Sequence, residues 1–284
     1  MNKIILENDK IKENNLEKNI KYDIFTNETF GITSLTIEIT ESTNLEIEYN
    51  FKEPTKLETI IIVNENVNLK IYEKLTGTKA KLRTKYYIKE NANIKTSKFN
   101  NIDEIKEYTI INLDGEKSKI EYNLKTISTK EENYDILTYH NKKQTISKIN
   151  PNGIALEEGK IKFNVSTFIP KDITGCDASQ NNKIINLTEN ESIINPNLYI
   201  DEQDVQASHS AWIGTFKKEQ LFYLESRGIE KQEAIKLLAK GFITNNLEIT
   251  EEEKENIKEI MNKYWRWKNE RRLSISKKRH NILW

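Results

Sequence analysis

Thr43-Asn44-Leu45-Glu46-Ile47 returns as Val67-Asn68-Leu69-Lys70-Ile71 and again as Ala92-Asn93-Ile94-Lys95-Thr96, placing Asn44, Asn68 and Asn93 at steps of 24 and 25 along the chain. Each copy alternates apolar and polar side chains, the period of a strand with one buried face. One more step of the same size leads to Ser118, where Lys119-Ile120-Glu121-Tyr122 opens the next burst. Such a step suits one turn of a β-solenoid, whose inward side chains are buried only when turns stack about 4.8 Å apart. A β-sandwich with evenly spaced hairpins gives similar bursts. Periodicity therefore leaves both architectures open, and after Ser118 the spacing becomes irregular.

Similar alternation fills residues 30 to 213, as in Leu35-Thr36-Ile37-Glu38-Ile39, and none of the four prolines interrupts these bursts. With only nine glycines in the chain, Asn64-Glu65-Asn66 and Glu90-Asn91-Ala92-Asn93 are expected to make the tight corners, because Asn tolerates left-handed backbone. After Gly214 the period becomes helical. Lys217 to Arg227 forms one amphipathic helix stopped by Gly228, and Ala234, Leu237, Leu238 and Phe242 mark a second, which Gly241 is expected to end. Thr250-Glu251-Glu252-Glu253 is a capping box for a third helix carrying Ile257, Ile260, Met261, Tyr264 and Trp265. These patterns divide the chain into a short, partly irregular segment (1–29), a β core (30–214), a helical domain (215–273) and a basic tail (274–284).

Forty-four basic and forty-four acidic residues cancel, so no general attraction to nucleic acid or anionic membrane follows. Apolar runs such as Ile60-Ile61-Ile62-Val63 are too short to span a bilayer, and Glu7, Asn8 and Asp9 interrupt the only candidate for a secretory leader. With a single cysteine, these features lead us to expect a cytoplasmic protein without an intrachain disulfide.

Ser208-His209-Ser210-Ala211-Trp212-Ile213-Gly214, Leu221-Phe222-Tyr223-Leu224-Glu225-Ser226-Arg227-Gly228-Ile229 and Glu233-Ala234-Ile235-Lys236-Leu237-Leu238-Ala239-Lys240-Gly241-Phe242 resemble the C-terminal signature of the SUF iron-sulfur cluster scaffold family, SufB and SufD. Upstream, Thr138-Tyr139-His140, Thr145-Ile146-Ser147, Gly159-Lys160-Ile161 and Asp177-Ala178-Ser179-Gln180-Asn181-Asn182-Lys183 look like further family elements in the same order. The likeness covers about residues 134–245. It implies a mainly β fold, a right-handed parallel β-helix followed by a small helical domain. It also implies a non-catalytic scaffold subunit that docks a SufC-type ATPase and pairs with a SufB-like or identical subunit. An iron-sulfur cluster would be held transiently and shared with that partner. No G-x-x-x-x-G-K-[ST] sequence occurs, so ATP hydrolysis is expected in a partner.

His209 is the candidate metal or cluster ligand, since a neutral imidazole binds iron; the alternative is a histidine that hydrogen-bonds at the end of the last turn. Ser208 and Ser210 flank it where the SufB branch has glutamates, so the resemblance is closer to SufD. By its separation from His209, Asn182 aligns with the sulfur-accepting cysteine of SufB, whereas Cys176 lies too far upstream for that register and is read as a small core filler. Asn182, Ser208 and Ser210 are therefore interface candidates. One cysteine cannot hold a four-thiolate cluster, so further ligands must come from a partner. The ATPase-docking set is Leu221, Phe222, Tyr223, Leu224, Arg227, Gly228, Ile229, Leu237, Leu238 and Phe242, with capping of the solenoid end as the plainer reading of the same residues. His140 is read as structural, His280 as part of a solvated tail, and Tyr264-Trp265-Arg266-Trp267-Lys268 as packing rather than nucleic-acid stacking. The alternative functions are a polysaccharide-acting β-helix enzyme and, with weaker support, a hydrolase using Cys176 with His140 or His209.

Overall fold

The computed structural model describes residues 2–27, 29, 31–245, 247, 251, 254, 255, 257–259, 261 and 262. The chain divides into two compact units, Met1–Thr215 and Phe216–Trp284. The first opens with β1 (Asn2–Glu7), β2 (Lys10–Asn15), β3 (Ile20–Asn27) and β4 (Ile32–Ile39), followed by β5 (Thr43–Phe51) and β6 (Thr55–Val63). Two long strands come next, β7 (Asn68–Ile88) and β8 (Asn93–Leu113). Then come β9 (Lys119–Ser128), β10 (Glu131–His140), β11 (Ile146–Ala155), β12 (Lys160–Ile169), β13 (Cys176–Asn186), β14 (Ile193–Ile200) and β15 (Val205–Gly214).

These strands build a parallel β-solenoid of about seven turns with two walls. The first wall runs β1, β5, the start of β7, the start of β8, β9, β11, β13, β15; the second runs β4, β6, the end of β7, the end of β8, β10, β12, β14. The sandwich alternative is thereby removed. β7 passes from one wall to the other beside Gly77, where a Cβ would lie 2.1 Å from the Phe51 carbonyl oxygen and the backbone has φ +135°. No other residue type fits that corner without displacing Phe51.

Inward side chains stack turn on turn. Ile39, Val63, Ile88 and Leu113 form one in-register column, each fully buried, and together with similar columns they make an extended apolar core along the solenoid. Register also explains the decay of the repeat. Asn68 stands opposite Asn93, but Asn44 stands opposite Lys70 rather than Asn68, so the first structural step is two positions longer than the sequence repeat suggests. Later steps lengthen, with Lys119 opposite Ile146 and Ile146 opposite Asp177, steps of 27 and 31, because longer corners are inserted between strands of constant length. At one corner the left-handed positions form their own column: Asn66, Asn91, Lys117, Gln144 and Gly175 all have positive φ. Each donates its backbone N–H to a carbonyl of the next turn, from Asn66 to Glu90 (2.9 Å) through Gly175 to Asp204 (2.7 Å).

The N-terminal segment holds three strands, β1 to β3, joined by short turns at residues 8–9 and 16–19. β1 joins the first wall beside β5, while β2 folds back antiparallel on β1 and β3 folds back antiparallel on β4. Strand edges need hydrogen-bond partners, and these two strands supply them at the first turn.

In the second unit, α1 spans Lys218–Glu225 and ends in a Schellman arrangement, in which the Ile229 N–H reaches the Leu224 carbonyl across Gly228 at φ +82°. α2 spans Lys231–Thr244, so it runs through Gly241 rather than stopping there. A glycine costs a helix only about 1 kcal/mol, less than the burial of Ala239 and Ile243 on either side of it returns. Since nothing lies within 4 Å of a Cβ built at Gly241, Gly241→Ala is expected to stabilise this unit by about 0.5–1 kcal/mol, read as a higher thermal midpoint of the helical signal. The described residues between 251 and 262 are helical, with Ile257 and Met261 buried, as the third helix requires. Its cap at Thr250, Glu252 and Glu253, the positions Ile260, Tyr264 and Trp265, the basic tail and His280 lie outside the described residues.

Candidate functional site

The C-terminal end of the solenoid differs from its interior. On β13 the inward side chains Cys176, Ala178, Gln180, Asn182 and Ile184 are buried, and register sets Val205, Ala207, His209, Ala211 and Ile213 of β15 directly over them. β15 is exposed or half-buried along its whole length, with Ile213 41% exposed. On the other wall Ile194, Pro196, Leu198 and Ile200 of β14 are likewise only half-buried. Among the described residues of the solenoid, no further strand covers the core cross-section at this mouth.

Two polar groups sit beneath β15. Gln180 donates through Nε2 to Thr167 Oγ1 (2.9 Å) and to the Asn197 carbonyl (3.0 Å), and Asn182 donates through Nδ2 to the Ser210 carbonyl (3.0 Å). Their carbonyl oxygens, Gln180 Oε1 and Asn182 Oδ1, are buried without a hydrogen-bond partner. Such acceptors cost free energy until a donor reaches them. His209 stands opposite Gln180 and is exposed, so its imidazole belongs to the rim, one register step from Asn182, which faces Ala211. Ser208 and Ser210 point to the outer side of the wall, where Ser210 Oγ donates to Asn181 Oδ1 (3.0 Å). Among the described residues no three His, Cys, Asp or Glu side chains gather as a metal centre.

Cys176 is 2% exposed, packs with Ile169 and Ala178, and has its thiol 3.2 Å from Thr145 Oγ1. His140 continues the aliphatic column above Leu113, with its ring nitrogens 2.7 Å from Thr145 Oγ1 and 2.9 Å from Ser147 Oγ. Burial pushes its pKa down to about 4, so at neutral pH it is an uncharged, hydrogen-bonded interior residue.

The helical residues divide by exposure. α1 buries none of its side chains; Phe222, Tyr223 and Leu237 are 73%, 54% and 52% exposed, while Leu221, Leu224, Ile229, Leu238 and Phe242 are half-buried. The Arg227 guanidinium stacks 4.5 Å over the Tyr223 ring, fixing a cationic aromatic corner beside Gly228.

Reading by sequence missed a polar chain inside the solenoid. Glu73, Lys98, Glu107, Asn100, Tyr134 and Glu132 are all fully buried and linked through side-chain hydrogen bonds and ion pairs. The signal was present in Ile94-x-Thr96-x-Lys98-x-Asn100-x-Ile102, where a lysine falls in phase with the inward apolar positions.

Residues 103–242 match the family described as SUF system FeS cluster assembly, SufBD core domain, beginning within β8, two strands before the motifs at 134–245. The iron-sulfur cluster assembly protein SufD of Bacillus subtilis is 34% identical over 113 residues, 39% of this chain and 26% of that protein. SufD of Escherichia coli is 30% identical over 152 residues, 52% of this chain and 36% of that protein. A SufBD-family iron-sulfur cluster assembly protein of Mycobacterium leprae is 41% identical over 79 residues, 26% of this chain and 20% of that protein. The matches thus span about a third or less of the length of these relatives. A parallel solenoid followed by two helices, with the family match laid across that junction, fits one reading: the chain belongs to the SufB/SufD family of the SUF system and is SufD-like.

Proposed function

We propose that this chain is a scaffold subunit of a SUF-type iron-sulfur cluster assembly complex and catalyses no reaction by itself. The observation that carries the proposal is the uncovered mouth. β15 offers a full-length strand edge without proline, and the apolar rim and orphaned Gln180 and Asn182 oxygens lie behind it. β14 is a poorer template, because Pro196 removes a backbone donor from its middle. A SufB-like subunit or a second copy of the chain adds to β15, covers the rim and brings the thiolates that a cluster needs, with His209 as this chain's single contribution. The cluster is cargo on that shared surface. Phe222, Tyr223, Leu237 and Arg227 form the face that docks a SufC-type ATPase, with Leu221, Leu224, Gly228, Ile229, Leu238 and Phe242 shaping and supporting it. The working place is the cytoplasm, where no transmembrane helix is needed; among the described residues no helix is long and apolar enough to cross a membrane.

The double substitution Phe222→Ala with Leu224→Ala is expected to abolish co-purification with the SufC-type ATPase, since exposed aromatic anchors carry most interface energy. Far-UV circular dichroism of the β-rich unit should stay unchanged. Retained binding would overturn the docking assignment.

A further inference from the structure

We propose that Lys56, Lys81 and Lys106, on the outer side of the second wall, form a docking strip for an α-helix of a partner protein that carries Glu or Asp along one face. The three residues stand directly opposite one another on β6, β7 and β8. All three are exposed, and none has a carboxylate partner among the described residues. The neighbouring acids have other partners: Glu104 with Lys79 at 2.6 Å, Glu58 with Lys85 at 2.9 Å and Arg83 at 3.8 Å, and Glu131, whose Oε1 accepts from Asn133 Nδ2 at 3.1 Å. Like charges directly opposed on neighbouring strands destabilise a sheet, so the fold carries this row at a cost. The row lines a groove of about 340 Å³ whose sides include Tyr108, Ile32 and Glu58, and Arg83, paired with that glutamate, lies 5.9 Å over the Tyr108 ring.

Spacing selects the occupant. The strip runs along the solenoid axis with charges about 4.8 Å apart, so its ends are about 9.6 Å apart. Acidic residues at i, i+3 or i+4, and i+7 of a helix span about 10.5 Å, within reach of flexible lysine stems. Three same-face residues of an extended strand span about 13 Å and overshoot. Nucleic acid is disfavoured by the chain's zero net charge and by the single exposed ring at the groove. This strip stands apart from the solenoid mouth and does not depend on the scaffold reading.

The test is fluorescence anisotropy of the full chain with three labelled probes: a helical peptide with glutamates on one face, a peptide of the same composition with its glutamates dispersed around the helix, and a single-stranded oligodeoxynucleotide. The one-face peptide is expected to bind best and to weaken with salt. Lys81→Glu should reduce its affinity at least tenfold while raising the thermal midpoint of the chain, because the same change relieves the lysine row. Lys106→Gln should weaken binding several-fold. Equal or tighter binding of the dispersed peptide or the oligonucleotide would overturn the proposal, as would binding indifferent to Lys81→Glu.

Discussion

Replacing Lys98 with methionine is expected to lower the unfolding free energy by about 3–5 kcal/mol at neutral pH. Lys98 is 1% exposed; its ammonium pairs with Glu107 and lies 3.5 Å from Glu73. Burial by itself pushes the lysine pKa down, but the two carboxylates more than offset this and hold it well above its ordinary value. The carboxylates have other partners. The Tyr86 hydroxyl donates to Glu73 at 2.6 Å, and the Thr84 and Thr109 hydroxyls and the Asn100 amide approach Glu107 at 3.3–3.4 Å. None of these partners carries charge, so removing the cation leaves two buried anions facing each other across one turn. Methionine keeps the volume, which separates the electrostatic loss from a cavity. One rescue follows: Lys98→Met with Glu107→Gln should recover at least half of the loss. Urea unfolding followed by circular dichroism measures both variants. A single variant as stable as the parent would show that the pair contributes nothing net.

Glu132→Gln is expected to do the opposite, stabilising the chain increasingly as pH rises. Glu132 is fully buried, and desolvation pushes its pKa to about 8, against an ordinary 4.5, despite hydrogen bonds from Thr126 (2.6 Å) and Tyr134 (2.9 Å). The folded chain keeps a proton that the unfolded chain releases between those values. Each pH unit in that window therefore removes about 1.4 kcal/mol of stability, on the order of 5 kcal/mol in all by pH 8. His140 works in the other direction. Its folded pKa of about 4 lies below the ordinary 6.5, so its contribution is present above 6.5 and is lost as pH falls toward 4. The two slopes oppose each other between 4.5 and 6.5, leaving a net fall from 6.5 to 8 that belongs to Glu132. Unfolding measured across this range should show that fall in the parent and not in Glu132→Gln. An identical profile in both proteins would place the titration elsewhere.

Much of this architecture was legible before any coordinates, and the reason is local. Leu35-Thr36-Ile37-Glu38-Ile39 announces one buried face, and β4 buries Leu35, Ile37 and Ile39 completely. Asn66 and Asn91 hold the left-handed corners that their side chains tolerate. Gly228 closes α1 because a left-handed residue is needed there, whereas Gly241 needs no special backbone, and its helix continues. The N-terminal strands were less legible. β3 buries only Ile20, so the alternation that betrays a strand is missing where only one end of the solenoid has to be covered.

For the candidate site, sequence named His209, Asn182 and the aromatics of α1, but gave no sign that the mouth is chemically unfinished. That follows from the register of β13 under β15, which leaves Gln180 Oε1 and Asn182 Oδ1 buried without donors. Alternation along one strand depends on neighbouring residues only, so the sequence alone determined the strand faces, the corner residues and the two helices. Which of those faces meet depends on corner lengths that change from turn to turn. Only the tertiary structure, by bringing together side chains whole turns apart, decided that Lys98 lies between Glu73 and Glu107, that three lysines share one row, and that the last turn remains uncovered.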